Sequence, residues 1–423
     1  MKREIPFSGE QKLIVLMLAL TQFTVVLDFM VLSPLGDMLM KSMQIKPDHF
    51  GIVVAAYAFS AGASGLLTAG FADKFDRKKL LIFFYAGFML GTLCCGLSTN
   101  YPMLVASRTI TGIFGGVIGS ISMAIVTDLF PLEQRGRVIG FAQMGFGASQ
   151  VLGIPVSLYI ANRWGWESPF FMVVILAAII MGMIVFKLPP VTAHLKLQHD
   201  RSIVQHLLNT VKKKDYRIAF TATALLSIGG FMMMPFGSTY AINNLHVTQE
   251  QLPILFTASG CASLVIMPLI GKLSDRVDKF GLYTVAACWL MVMVVIYTNI
   301  NPQPLWVLII INILMLGGIL ARMVPATTMV TAIPVMEDRG AFMSINASLQ
   351  QIAGGVAAVL TGWIVTRKDN FSPLEHYDTV GWVVVGFSLV SIVLLGRVSK
   401  MVKAKQARSE QPPVSPEAIS EIA

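Results

Sequence analysis

Apolar segments long enough to cross a lipid bilayer follow one another along almost the whole chain, and this pattern limits the possible folds more than any other feature. A helix needs about 20 apolar residues to cross the hydrocarbon layer. Twelve such segments lie at approximately 13–35, 50–71, 80–97, 103–125, 138–160, 170–186, 218–241, 252–273, 282–300, 305–326, 341–365 and 380–395. Because only 13% of the 423 residues are charged, a soluble or disordered chain is excluded. The sequence predicts an all-α membrane protein with twelve transmembrane helices.

Lys and Arg residues are concentrated on one side of the predicted membrane. If the N-terminus is inside, 25 of the 32 Lys and Arg residues lie on the cytoplasmic side, 5 lie outside, and Arg108 and Arg322 lie within transmembrane segments. Such an excess in cytoplasmic loops sets the orientation of membrane proteins. We therefore predict that both termini are cytoplasmic, and that the net charge of +9 reflects topology and not nucleic-acid binding.

The longest connection, between the sixth and seventh segments, divides the chain into two six-helix halves. We predict an N-terminal bundle at 1–188, a cytoplasmic linker at 189–216, a C-terminal bundle at 217–400 and a disordered cytoplasmic tail at 401–423. In the linker, apolar residues recur at helical spacing between Ile203 and Val211. This spacing fits an amphipathic helix on the inner membrane surface. A solvated tether is an equally good interpretation.

The two halves carry similar charged motifs at matched positions. Residues 69–79 read AGFADKFDRKK, and residues 271–279 read GKLSDRVDK. Asp73 is separated from Arg135 by 62 residues, and Asp275 from Arg339 by 64 residues. A six-helix unit that occurs twice in the same orientation is a known layout of transporters, with two pseudo-symmetric bundles.

These motifs resemble those of the major facilitator superfamily, and the resemblance covers nearly the whole chain. The pattern is similar to the twelve-helix drug:proton antiporter branch, which includes sugar-efflux relatives. The family's motif after the second helix is a Gly, three residues, Asp, a basic residue, one residue, Gly and basic residues. Here Ala69 and Asp76 replace the two glycines, whereas the second copy keeps Gly271 and Asp275 in register.

Two membrane-embedded motifs extend the resemblance. The fourth-helix motif, an Arg followed four positions later by Gly, appears as Arg108 and Gly112. The fifth-helix antiporter motif appears as Gly147, Gly153 and Pro155, with its usual Gly-Pro pair split by one residue. Small residues at such spacing let helices approach closely. We therefore predict that these glycines and Pro155 shape helix packing.

Two charged residues in the first half are candidates for proton coupling. A charge inside a transmembrane helix costs several kcal/mol unless it is paired or hydrated. Asp28 lies about 22 Å from the inner end of the first segment, at about 1.5 Å per residue, and Arg108 lies near the outer end of the fourth. Both are therefore expected at similar depth. We predict that Asp28, paired with Arg108, exchanges a proton or cation for substrate; a fixed structural ion pair is the alternative.

Arg322, near the middle of the tenth segment, is a candidate substrate-binding residue. Segments seven to twelve contain no acidic residue in their membrane-embedded parts. Its partner is therefore Asp28 across a cavity, backbone carbonyls, water or the substrate. An arginine without a fixed counter-ion favours a carboxylate or phosphate ligand. A side chain satisfied by helix carbonyls, or extended to the membrane surface, is the alternative.

Polar residues of the same segments complete the predicted substrate site. They are Gln22, Gln143, Gln150, Asn312, Asn346 and Gln350. Taken singly, each is also typical of a helix–helix hydrogen bond. The run FMMMPF at 231–236 offers adaptable thioethers. Its consecutive side chains cannot all face one cavity, however, so packing is the favoured interpretation there.

The resemblance also implies a gate at the cytoplasmic ends of the helices. Asp73 would lie at the N-terminus of the eleventh helix, where the helix dipole favours a negative charge, and Arg77 would reach Asp128. The corresponding residues of the second half are Asp275, Lys279 and Asp338. These contacts would hold the inner gate shut and break as the halves rock. Loop charges that only set topology are the alternative.

We therefore expect a secondary transporter of the bacterial inner membrane that works by alternating access, and we favour proton-coupled efflux of a small organic compound. Uptake of an anionic metabolite is the alternative, and a non-transporting membrane sensor is a more distant one. The four cysteines lie in apolar segments and the six histidines form no ligand pattern. No enzyme activity, metal or cofactor is predicted. The expected partners are the substrate, protons and the lipid bilayer, with the chain acting as a monomer.

Overall fold

The structure is a computed structural model that describes residues 7–68, 74–192, 195, 203–369 and 372–410. The helices of the first half are α1 (Gly9–Val31), α2 (Gly36–Met43), α3 (Pro47–Thr68), α4 (Arg77–Gly96), α5 (Tyr101–Leu129), α6 (Leu132–Ala148), α7 (Ile154–Trp164) and α8 (Ser168–Lys187). A linker helix, α9 (Ile203–Lys212), follows. The helices of the second half are α10 (Lys214–Phe231), α11 (Gly237–Asn243), α12 (Leu252–Arg276), α13 (Lys279–Asn299), α14 (Leu305–Thr331), α15 (Arg339–Ile364) and α16 (Tyr377–Glu410).

The helices form twelve crossings, six in each half. Eleven helical stretches within the described residues are long and apolar enough to cross a membrane, and α6 and α7 form one of them through a π-helical turn at Ser149–Gly153. The remaining crossing is α10 with α11, which is broken at Pro235. We call the end of the molecule with the start of α1 and the end of α16 the terminal face. The opposite end, with α2 and α11, is the far face. The predicted all-α class is confirmed.

Helix starts are fixed by side chains that accept backbone N–H groups. Ser8 and Gln11 form a reciprocal capping box at the start of α1, with bonds of 3.0 and 3.1 Å. Asp76, which replaces a motif glycine, caps α4 by accepting the N–H of Lys78 at 2.9 Å. Asp278 caps α13 in the same way, from the N–H of Gly281 at 2.8 Å. The departure from the family motif thus supplies a helix cap that both halves share.

A proline interrupts the first crossing of each half at an equivalent position. Pro34 follows α1 and Pro235 follows α10, and in both cases a glycine two residues later begins the next helix. Proline has no N–H and its ring clashes with the preceding turn, so a helix cannot continue through it unchanged. The two breaks form a further internal repeat, which the charged loop motifs do not include.

The carbonyl groups freed by the second break are satisfied by hydroxyl groups. The carbonyl oxygens of residues 232, 233 and 234 accept hydrogen bonds from Thr361 Oγ1 (3.0 Å), Tyr377 Oη (3.0 Å) and Ser33 Oγ, respectively. Ser33 belongs to the first break, and its own carbonyl accepts Ser238 Oγ at 2.7 Å. The two proline breaks therefore hold each other across the boundary between the halves.

Further contacts join the halves at the far face, and α3 stays in contact with α15 toward the terminal face as well. Gly51 of α3 packs against α15, where a Cβ atom would lie 2.6 Å from the carbonyl oxygen of Ala358. Asn243 Nδ2 of α11 donates to Asp37 Oδ1 of α2 at 2.6 Å. On the terminal face, hydrogen bonds between described side chains stay within one half or involve the linker. This conformation is closed at the far face.

The linker contains the helix that one of the two interpretations predicted. α9 spans Ile203–Lys212, and Leu207 packs against the apolar core of the second half. Leu208 and Val211 remain 57% and 43% exposed. The helix thus presents an apolar strip on the terminal face; its location at a membrane surface stays a prediction.

The prediction of a disordered tail from residue 401 is wrong for its first part. α16 continues to Glu410. Lys405 Nζ donates to the carbonyl oxygens of Ala332, Ile333 and Pro334, at 3.3, 2.9 and 3.2 Å. These bonds hold the end of α16 against the end of α14, which explains why the helix extends past the membrane segment. Residues 411–423 lie outside the described residues.

Candidate functional site

A salt bridge lies wholly inside the first half, between α1 and α5. Arg108 Nη1 lies 2.8 Å from Asp28 Oδ2, and the two side chains are 1% and 0% exposed. Thr92 Oγ1 of α4 donates to the second carboxylate oxygen at 3.1 Å. The predicted partners therefore meet. Replacing or neutralising one member of such a buried pair leaves the other charge uncompensated, so the protonation of Asp28 is coupled to the position of Arg108.

Aromatic rings connect this ion pair to the boundary between the halves. Arg108 Cζ lies 4.6 Å from the centre of the Tyr57 ring of α3, within the range of a cation–π contact. The ring of Tyr57 in turn packs on Phe29, with centroids 5.3 Å apart. Phe29 directly follows Asp28 in α1. A change at Phe29 or Tyr57 is therefore transmitted to the charged pair by direct contact.

Phe29 lines a pocket between the two halves, beside the second proline break. The pocket is a narrow space in this conformation, and part of it is open to the surroundings. Its lining residues are Phe29, Ser33, Val54, Ala58, Phe231, Met234, Pro235 and Gly354. The lining is apolar except for one hydroxyl group. The apolar chemistry of this lining matches hydrophobic groups.

Sequence reasoning did not assign this pocket. Phe231, Met234 and Pro235 belong to the run for which packing was the favoured interpretation, and the structure places these three in the pocket wall. Met232 and Phe236 are fully buried, as expected for a run whose side chains point in several directions. The lining residues of the first half, such as Val54 and Ala58, carry no polar atom that would have distinguished them from ordinary packing residues.

The predicted polar lining residues lie elsewhere. None of them is among the described residues that line the apolar pocket. Asn312 Nδ2 donates to the carbonyl of Leu308 in its own helix at 2.9 Å. Asn346 is buried and its Oδ1 has no partner. Gln22 and Gln350 are half-buried, the backbone of Gln150 packs on Gly260 of α12, and the side chain of Gln143 lies outside the described part of the chain. Their role in substrate binding stays a prediction.

The predicted packing glycines differ in how closely they are packed. A Cβ atom on Gly112 would lie 2.1 Å from Ser60 Oγ and 2.4 Å from the carbonyl oxygen of Tyr57. On Gly153 it would lie 2.6 Å from Leu27 Cδ1. Gly147 is packed less tightly, because a Cβ atom there would meet only Leu264 of α12 at 3.7 Å, an ordinary contact.

Pro155 occupies the first turn of α7, directly after the π-helical turn Ser149–Gly153. The helix is continuous through this point, so the N–H that Pro155 lacks leaves a carbonyl group of the preceding turn without its helical donor. The fifth-helix motif therefore marks the point where this crossing changes its winding.

Arg322 does not reach Asp28, which is held by Arg108 in the other half. Its side chain is 3% exposed, so it does not extend to the membrane surface. Its hydrogen bond goes from Nη1 to Ser388 Oγ of α16, at 3.5 Å. In this conformation Arg322 therefore neither pairs with Asp28 across a cavity nor extends to the membrane surface.

At the terminal face, Arg77 lies in an ion pair with Asp128. Arg77 Nε is 3.4 Å from Asp128 Oδ2. This contact joins the start of α4 to the end of α5 within the first half, so it does not by itself connect the two halves. Asp73 lies outside the described residues, and a gating role for all three stays a prediction.

The second half uses a different set of contacts at this face. Asp338 pairs with Lys213 and accepts the hydroxyl of Tyr216 at 2.7 Å. Asp275 is exposed, and no ion pair between described residues joins it or Lys279 to Asp338. The expected correspondence with the first half is therefore not found. Asp338 instead fastens the linker, since Lys213 directly follows α9.

The hydrogen bond to Asp338 raises the pKa of Lys213 above its ordinary value. A raised lysine pKa means that the stabilisation is complete at neutral pH. It is lost only as the pH rises through that raised value, above about 10.4. The contact between linker and second half is therefore stable over the whole physiological range.

Replacing Asp338 with Asn is expected to raise hydrogen exchange in α9 about threefold to fivefold at neutral pH, because it removes an ion pair between a buried carboxylate and a half-exposed lysine that holds the linker. Exchange of residues 203–212 can be measured by mass spectrometry on the full-length protein in detergent. The matched control is Asp278→Asn, which removes the ion pair with Lys403 (2.7 Å) on the same face. Unchanged exchange in Asp338→Asn would show that apolar contacts hold α9.

Two six-helix bundles, a pocket at their boundary and a buried ion pair beside it define a multi-pass membrane transport protein. The comparison with known families agrees. The chain belongs to the major facilitator superfamily, whose family pattern matches residues 18–333 and again 219–422. The resemblance predicted from the loop motifs is thereby confirmed.

Curated relatives include both uncharacterised and named transporters. YceJ, an uncharacterised MFS-type transporter of Bacillus subtilis, is 21% identical over 92% of this chain and 97% of its own length. Multidrug resistance protein 2 of Bacillus subtilis is 24% identical over 66% of this chain and 70% of its own length. These relatives place the chain near the drug-efflux branch of the superfamily.

Solved structures of transporters share the fold. A bacterial homologue of the human lysosomal transporter Spinster, in an inward-facing and unoccupied conformation, superposes with a TM-score of 0.74 at 14% identity, covering 97% of this chain and 100% of that one. The xylose transporter XylE from E. coli, in an inward-open conformation, gives 0.72 at 17% identity, covering 92% and 98%. At this identity the likeness concerns the fold alone.

Proposed function

We propose that this protein exports a small hydrophobic compound from the cytoplasm in exchange for protons. The terminal face is cytoplasmic in this proposal, in accordance with the excess of Lys and Arg at the predicted inner loops. The closed far face is then the outer side. An apolar pocket between the halves and relatives named multidrug resistance proteins support a hydrophobic cargo.

The observation that carries the proposal is the contact chain from the pocket to the buried carboxylate. Phe29 lines the pocket and packs against the tilted ring of Tyr57. That ring contacts Arg108, the partner of Asp28. A ligand that displaces Phe29 also moves the ring of Tyr57, which contacts the guanidinium of Arg108. Proton binding at an Asp28 carboxylate oxygen removes one charge of the pair and releases Arg108. Cargo and proton therefore act on the same element, which exchange transport requires.

Transport in proteoliposomes under imposed pH gradients tests the proposal. With an acidic lumen, a neutral hydrophobic drug such as radiolabelled chloramphenicol is expected to accumulate inside, because protons leave as the drug enters. With an alkaline lumen it is expected to be excluded. Liposomes without protein provide the control. Drug flux in a panel of neutral compounds that ignores the sign of the gradient would overturn the proposal.

The same vesicles test the alternative of uptake. If the protein carries an anionic metabolite together with protons, a labelled carboxylate such as lactate will accumulate in vesicles with an alkaline lumen. A positive result in that arm alone would reverse the assigned direction and cargo.

A further inference from the structure

Arg322 is a buried charge that the proposed export mechanism does not use. It lies between α10, α13 and α16, with a single hydrogen bond at 3.5 Å, the outer limit for such a bond. A guanidinium has five N–H donors. Within the described part of the chain no carboxylate forms an ion pair with it. Most of its hydrogen-bonding capacity is therefore unmet.

Two buried hydroxyl groups lie beside Arg322. Tyr283 Oη of α13 and Ser391 Oγ of α16 lie near each other, and neither has a well-formed hydrogen bond to any other described residue. Ser388, the one partner of Arg322, lies one helical turn before Ser391. One charge and three hydroxyl groups from three different helices thus converge inside the second half.

Such a cluster is unfavourable when empty. A buried hydroxyl with unmet hydrogen-bonding capacity is unfavourable, and an unpaired buried charge is more so. Every group in the cluster can donate a hydrogen bond, and none carries negative charge. The missing partner is therefore an acceptor with a negative charge, and one guanidinium matches a single charge.

Glycine at position 230 is what leaves room at the guanidinium. A Cβ atom on Gly230 of α10 would lie 2.9 Å from Arg322 Nη2. A side chain at position 230 would push the guanidinium of Arg322 away from the three hydroxyl groups. Helix packing in this region therefore keeps one edge of the guanidinium uncovered by side-chain atoms of α10.

We propose that Arg322, Tyr283, Ser388 and Ser391 form a binding site for a small monovalent anion inside the second half. The ligand is a halide such as chloride, or the carboxylate group of a small organic acid, since both accept several hydrogen bonds with one charge. The site is separate from the apolar pocket and from the Asp28–Arg108 pair. It does not depend on proton exchange, so a failure of either proposal leaves the other intact.

The test is the thermal unfolding of the full-length protein in detergent, titrated with chloride or formate at constant ionic strength against the bulky sulfonate MES. A ligand of the native state raises the unfolding midpoint with concentration. We expect a rise of several degrees with chloride, formate or both. A rise with chloride alone identifies a free halide, and a rise with formate alone identifies a carboxylate.

Variants decide whether the effect belongs to this site. Arg322→Gln is expected to abolish the anion-dependent rise in the unfolding midpoint. In MES it is also expected to unfold at a higher temperature than wild type, because it lacks the unpaired buried charge. Tyr283→Phe and Ser391→Ala keep the shape of the site and are expected to weaken the apparent anion affinity about fivefold. Gly230→Ala displaces the guanidinium and is expected to weaken it as well. Arg217→Gln, at an exposed position of α10, is the matched control and keeps the wild-type rise.

The proposal is overturned if wild type unfolds at the same midpoint in all three anions, or if Arg322→Gln keeps the full rise. Should Arg322→Gln fail to fold, unchanged anion affinity in both Tyr283→Phe and Ser391→Ala has the same meaning.

Discussion

Replacing Asp28 with Asn is expected to reduce drug accumulation against a gradient at least about tenfold, while exchange of labelled for unlabelled drug across the membrane continues. Asn cannot take up or release a proton, so cargo movement loses its link to the pH gradient. The side chain keeps its size and can still accept the hydroxyl of Thr92, which donates to Asp28 at 3.1 Å. The pocket beside Phe29 is not altered directly.

The measurement compares two assays on the same proteoliposomes: accumulation of labelled chloramphenicol under an imposed pH gradient, and its counterflow without a gradient. Asp48→Asn removes a half-exposed carboxylate at the far face and serves as the control, with both activities unchanged. Accumulation that survives in Asp28→Asn would show that the proton is carried elsewhere.

A purely structural ion pair gives a different result. Loss of the carboxylate then leaves Arg108 as an uncompensated buried charge, at a cost of about 3–5 kcal/mol, and both assays fall together. The double variant Asp28→Asn with Arg108→Gln separates the two cases. It removes both charges, and we expect its counterflow to continue and its accumulation to remain low, because no carboxylate carries the proton. Recovery of accumulation would assign the pair to structure alone.

Replacing Gly112 with Ala is expected to destabilise the first half by about 2–3 kcal/mol, because overpacking of this size forces the backbones apart. The new Cβ atom would lie 2.4 Å from the carbonyl oxygen of Tyr57, a backbone atom that cannot turn aside. For a unit of this size the unfolding midpoint falls by about 4–12 °C. The same displacement moves Tyr57 under Arg108, so accumulation of drug decreases as well.

Gly119→Ala is the matched control for this prediction. Gly119 lies two turns further along α5, in the same run of small residues, and a Cβ atom there would meet only Gln22 Oε1 at 3.7 Å. Its unfolding midpoint is expected to remain within about 2 °C of wild type, since ordinary contacts need no rearrangement. Equal midpoints for the two variants would mean that α3 and α5 can separate without cost.

Most of the architecture can be predicted from the uncharged, apolar segments of the sequence. The twelve apolar segments define the crossings, and the similar depth of Asp28 and Arg108 is sufficient to expect contact between them. The depth of a residue in the membrane follows from its position along the helix, so it can be estimated by counting residues. Contacts that depend on rotation about a helix axis are harder to predict. The pairing of Asp338 with Lys213 instead of Lys279 depends on such rotation and on the path of the linker.

The pocket escaped prediction for a chemical reason. Its walls consist of residues such as Val54, Ala58 and Phe231, which look the same in sequence whether they face a cargo, a neighbouring helix or lipid. The end of α16 was misjudged for another reason: polar composition was taken as disorder, although Lys405 is held by three carbonyl groups at the end of α14. Composition alone does not contain such long-range contacts.

The reciprocal bonds between the two proline breaks have a consequence for how the far face would open. Ser33 Oγ bonds to the carbonyl of Met234, and Ser238 Oγ bonds to that of Ser33. If the two breaks separate and no water enters the gap, these groups lose their hydrogen-bond partners, at a cost of about 1–3 kcal/mol each. Water that enters the gap replaces the lost bonds at little cost. Opening and wetting of this seam therefore form one event, and solvents that lower water activity will prolong the closed state.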